Sequence, residues 1–377
     1  MIEQQRKVYS RNIAIDFLKI VFTLIVVLNH GLKYLPGQPA HFYHSRMAVE
    51  FFFIVSGYLL AVSAKRCTGS REVSVWKQMR GFIGHKIALL APDVFIAWFT
   101  AFAVMYMMPP GKNPVQDFLS GIFEFFFLRE AGFTGFTQAN GPVWYISAML
   151  LSMAVLFPVL AGKREFFLHW FAPLAAIFLY GWLSVKFGKI VGEVSWAGFA
   201  AKGLIRALAG LCLGCVCYAA AEKLRQYRLR LSGKILANII ALLSIVYVIY
   251  AIYTNKPSSF DFVIIILLAL GITLIFSNTG PGIFGYVPDT VKRGITFLGE
   301  FSLDLFLSHS YWSIRLGDFL PDLTGGEILR AYFLISIVNA ALLMLVSKIL
   351  KKNAGHIKKG FGRLIFRIAG ENECRGE

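Results

Sequence analysis

Asp16, Lys19 and His30 interrupt a stretch that is otherwise apolar, IDFLKIVFTLIVVLNHGL at 15–32. A charged side chain in hydrocarbon costs about 2.5–3.5 kcal/mol on insertion scales, so residues kept there despite the cost are candidates for chemistry. Lys19 and His30 are eleven positions apart. On a helix that is about 20° past three full turns and about 16.5 Å of rise, so both stand on one face, which Asp16 shares. The lysine offers a point charge to an anion, or a partner to Asp16; the histidine has the chemistry of a general base. Glu50 opens the next apolar run. If the chain turns back through 34–46, Glu50 lies at the height of His30, where a carboxylate would hold the ring's tautomer and stabilise its cation.

The same cost singles out Lys86, Arg206, Glu300, Asp304 and His309 within later apolar runs. In FLGEFSLDLFLSHSYW (297–312) Glu300 and Asp304 share one helix face, and Ser302 and His309 another. Ser56-Gly57 lets a helix or ligand approach the backbone of MAVEFFFIVSGYLLA (47–61). Trp144 and Tyr145 open a further run with the aromatic pair expected at a membrane interface.

These groups need elements that hold them in lipid. A chain of 377 residues that is 57% hydrophobic and only 16% charged is far more apolar than a soluble domain. It reads as an all-α, polytopic membrane bundle. Ten spans are expected at about 12–33, 47–64, 82–108, 143–161, 166–185, 199–220, 234–253, 260–277, 296–316 and 329–350, with 118–129 re-entrant or interfacial. We expect one membrane domain over 1–377, a short basic tail at 351–377, and no cleavable signal peptide, since Asp16 and Lys19 break the first apolar core. The net charge of +17 is not a nucleic-acid footprint. With a cytoplasmic N-terminus, 25 of the 38 Lys and Arg fall on the cytoplasmic side, the positive-inside bias of a protein with both ends in the cytoplasm. The tail belongs on anionic lipid. Cys212, Cys215 and Cys217 crowd one span; a lone cluster inside a helix suits tight packing better than tetrahedral metal ligation, and no metal is expected.

In order along the chain, Lys19 with His30 eleven positions on, preceded by Ile15-Asp16, then EFFFIVSGYLL, HKIALLAP and LGEFSLDLFLSH, resemble the motifs of the integral-membrane acyltransferase family 3. The resemblance runs from about Arg11 to Leu350. It implies a multi-pass protein of a bacterial inner membrane that moves a small acyl group, commonly acetyl, from cytoplasmic acyl-CoA to a sugar hydroxyl of a surface polysaccharide or lipid-linked glycan. On that reading His30 and Glu50 are catalytic, while Asp16, Lys19, Lys86 and Arg206 serve the donor. Ser56, Trp144, Tyr145 and His309 serve the acceptor. The family usually carries arginine at position 19, so Lys19 replaces a bidentate fork with a single ammonium. The alternative from another class is a transporter or flippase that uses Asp16, Glu300 and Asp304 as an ion path.

Overall fold

The computed structural model describes residues 11–35, 44–67, 73–107, 113–133, 138–190, 196–227, 229–254, 257–277 and 287–357. The expected tail beyond 357 and most of the 34–46 turn lie outside the described residues. Apart from one bridge between Trp196 and Ala201, all regular structure among the described residues is helical. The helices are α1 (Ile13–Gly31), α2 (Ala48–Cys67), α3 (Val75–Tyr106), the short α4 (Pro114–Ser120) and α5 (Ile122–Phe125), and α6 (Val143–Gly162). Then come α7 (Arg164–Phe166), continued through a π-turn at Phe167–Phe171 into α8 (Ala172–Phe187), and α9 (Lys202–Gln226). The chain closes with α10 (Leu231–Tyr253), α11 (Phe260–Ser277), α12 (Asp289–Phe319) and α13 (Gly325–Ile357), so the last helix runs past the expected boundary at 350.

Nine helices of the described residues are long and apolar enough to cross a membrane. The expected span at 296–316 falls in α12, which has the length, 31 residues, but not the composition. Its polar residues are buried instead: Ser302, Asp304, Ser308, His309, Ser310 and Ser313 face the protein, where α12 packs against α1, α3 and α13. Lipid does not drive helices together by hydrophobicity, so association rests on close packing and polar contacts. α12 uses the polar contacts.

The centre of the bundle uses close packing. A Cβ on Gly57 of α2 would lie 2.1 Å from the Leu211 carbonyl oxygen, and one on Gly214 of α9 would lie 2.1 Å from that of Ile54. Only glycine allows the two backbones to meet at that distance. Cys215 donates its thiol to the Gly57 carbonyl at 3.4 Å, and the three cysteines of α9 are buried, free thiols packed at helix contacts. α10, by contrast, exposes a broad apolar face suited to lipid.

Asn12 sets the register of α1 by accepting from the amides of Ala14 and Ile15. Where α1 begins, Arg11 bonds Glu300 of α12 at 2.6 Å, and Glu300 also meets Lys348 of α13 at 3.7 Å. The described chain therefore begins and ends on one face of the bundle, called here the terminal face. Asp16 is buried against Gly299, where any side chain would collide with it.

Candidate active site

His30 lies in the last turn of α1, away from the terminal face, and its ring stands edge-on to that of His309 on α12, centroids 4.9 Å apart. His30 Nδ1 is 2.9 Å from the Val26 carbonyl, and His309 Nδ1 is 2.7 Å from that of Phe306. A carbonyl only accepts, so both Nδ1 atoms carry the hydrogen, and the basic lone pair of each neutral ring is on Nε2. His30 is half-buried and His309 fully buried. The Phe306 ring lies 5.8 Å from both His309 and Tyr145, and the Tyr145 hydroxyl is 3.3 Å from Ser56. Ser56, Tyr145, Phe306 and the two histidines thus line one continuous, mostly aromatic wall.

Toward the terminal face the site is cationic. Lys19 bonds Asp16 at 2.9 Å and is close enough to Lys86 of α3 for the two ammonium groups to repel. Asp16 was expected among the groups that serve the donor. Its carboxylate bonds both Arg11 and Lys19. Lys19 and His30 belong to one unbroken helix, about 16.5 Å apart along its axis.

Two of the expected site residues, Glu50 and Arg206, are paired with each other. Glu50 does not hold the His30 ring; that bond comes from Val26. Glu50 is completely buried, and its two oxygens receive Arg206 Nε and the Tyr180 hydroxyl. Arg206 does not join Lys19 and Lys86. It is 2% exposed, paired with Glu50, bonded to the Arg46 carbonyl and set 5.7 Å from the Trp144 ring. A buried charge that cannot reach water must find a complementary partner, and each supplies the other's. Trp144 and Tyr145 are not interfacial anchors: both are buried, packed on Phe53 of α2.

Some participants were not anticipated. Tyr180 gave no signal, because a tyrosine in an apolar run carries no insertion cost comparable to a charge. Asp93 did: it is an acid inside the third expected span, and it is buried, bonded to Ser347 and 2.6 Å from Lys351. Asp304 lies within reach of Asp93. Under α4 and α5, Glu124 bonds Arg129 at 2.6 Å and receives the Trp98 indole and the amides of Ala139 and Asn140. Burial pushes the Glu124 carboxyl above its usual range, against the pull of Arg129. Asn140 reaches on to the Leu307 carbonyl at 3.1 Å, tying this turn to α12 two residues from His309.

Residues 12–350 match a family of acyltransferase domains, acyltransferase family 3. Neither a curated protein nor a solved structure matches the chain. The match runs from the cap of α1 into the last turns of α13, and the chain belongs to acyltransferase family 3.

Proposed function

We propose that the protein transfers a small acyl group, acetyl in the first instance, from cytoplasmic acyl-CoA to a sugar hydroxyl of a surface polysaccharide or lipid-linked glycan. Its setting is a bacterial inner membrane. The observation that carries this reading is the placement of Lys19 and Lys86 toward the terminal face and of His30 three turns further along α1. Donor phosphates engage the two ammonium groups, and the pantetheine arm, comparable in length to three helical turns, brings the thioester to His30.

The acceptor hydroxyl enters from the opposite face along the aromatic wall, whose rings suit the apolar face of a sugar. His30 Nε2 takes the hydroxyl proton as the oxygen attacks the thioester carbonyl. Collapse of the tetrahedral adduct breaks the carbon–sulfur bond, and the departing thiolate takes the proton back from the imidazolium. An ester and a free thiol result, with His30 neutral again.

The test uses purified protein in lipid nanodiscs with acyl-labelled acetyl-CoA, paired with mass spectrometry of surface glycans from cells with and without the protein. Transfer of label and a glycan mass difference of one acyl group are expected. Absence of both transfer and hydrolysis, with unchanged glycans, would overturn the reading; substrate uptake into vesicles without transfer would favour the transporter.

A further inference from the structure

We infer that the groove between α9 and α11, in the half of the bundle nearer the terminal face, holds one acyl chain of an anionic phospholipid whose phosphate is met by Lys223. The groove has a volume of about 480 Å³. Leu213, Val216, Ala220 and Leu224 recur every three or four residues and line its α9 side, while Ala269 and Leu270 line its α11 side. An alanine on each helix, Ala220 and Ala269, withholds the side-chain bulk that would close it. Among the described residues that line it, Lys223 alone is charged.

Two hydrogen bonds fix the depth of the groove. Asn12, the cap of α1, donates to the Ile275 carbonyl at 3.4 Å, which sets the end of α11 on the terminal face. Arg225 donates to the neighbouring Phe276 carbonyl and brings the end of α9 there too. From Leu213 to Leu224 the helix rises about 16.5 Å, close to the roughly 15 Å of hydrocarbon in one leaflet. The groove therefore runs the length of a lipid chain, with Lys223 and the exposed Tyr227 at its headgroup end, where lysine and tyrosine meet polar lipid. The charge of Lys223 is available there. Its neighbour Glu222 is bonded by Lys65 at 2.6 Å and by Arg225, and no carboxylate among the described residues pairs with Lys223. Arg230 and Lys234, at the start of α10, add positive charge to the same face. The apolar length selects a lipid over a free phosphate, and the cationic end selects an anionic headgroup over a zwitterionic one, which brings a cation of its own. The terminal face is the one expected in the cytoplasm, whose leaflet carries the anionic lipids.

The experiment is native mass spectrometry of the full-length protein in detergent, titrated with phosphatidylglycerol or with phosphatidylcholine of the same acyl chains. The tightest-bound phosphatidylglycerol should show a Kd about five-fold below that of phosphatidylcholine, the preference one lysine at headgroup level confers. Lys223→Ala should raise the phosphatidylglycerol Kd about five-fold, leave that of phosphatidylcholine unchanged and so erase the preference. Ala220→Trp, which fills the groove, should abolish this binding for both lipids; should that variant fail to fold, Leu270→Trp from the α11 side takes its place. Excess inorganic phosphate should not displace the lipid, because it has no chain to lay in the groove. Equal affinity for the two lipids in the wild-type protein, an unchanged phosphatidylglycerol Kd in Lys223→Ala, displacement by inorganic phosphate, or binding retained in the filled groove overturns the inference. A wild-type dimer that Ala220→Trp dissociates would give the groove to a second copy of the chain and overturn it as well.

Discussion

Replacing Lys19 by alanine separates a ligand contact from an internal ion pair, and the structure sets the size of each effect. Asp16 keeps a second cation in Arg11, which is itself anchored to Glu300, so losing Lys19 does not strand a buried carboxylate. Lys19 is also 30% exposed at its side chain, and partly solvated pairs contribute at most about 1 kcal/mol. Part of even that is returned, because the repulsion between Lys19 and Lys86 disappears. Thermal stability should therefore change little. A charge-assisted bond to a donor phosphate is worth about 1.5–3 kcal/mol, which converts to a rise in donor KM of about 10- to 150-fold where donor binding equilibrates before chemistry. Lys19→Arg should retain donor affinity or improve it, because a guanidinium offers two parallel bonds. The assay is donor titration of transfer at saturating acceptor, with thermal unfolding of the same samples. A well-folded Lys19→Ala protein with wild-type donor KM would refute the phosphate contact, and a marked loss of stability would refute the argument that Arg11 suffices for Asp16.

His30→Ala should reduce turnover by about 10²–10⁴-fold with normal insertion and stability, checked by transfer rate and size-exclusion profile. Glu50→Gln leaves Arg206 as a buried charge without its counterion and should cost about 3–5 kcal/mol; adding Arg206→Met should recover much of it, seen as rescue of the melting temperature. Recovery of stability without recovery of rate would return Glu50 to the chemistry. Gly214→Val drives side-chain atoms into the Ile54 carbonyl and should lower stability by at least about 1–3 kcal/mol, whereas Gly181→Ala, where no atom lies within 4 Å, should be nearly neutral.

The membrane class and most spans were legible in the sequence because burial in lipid is written in composition over windows of about 20 residues. The one-face alignment of Asp16, Lys19 and His30 followed from helical periodicity alone, since all three lie in one element. The resemblance carried the family. Partnership across helices was beyond reach. Glu50 was placed on His30 because the two share a height, yet height does not fix rotation about the helix axis. That rotation is set by the contact of Gly57 and Gly214, which brings α9 against α2 and so delivers Arg206 to Glu50. His30 and His309 are separated by most of the chain, and α12 reaches α1 because Gly299 yields to Asp16. Sequence determined which residues could not be left to lipid. Tertiary packing decided which of them meet, because a buried charge is satisfied by whatever group the closest-packed neighbouring helix presents.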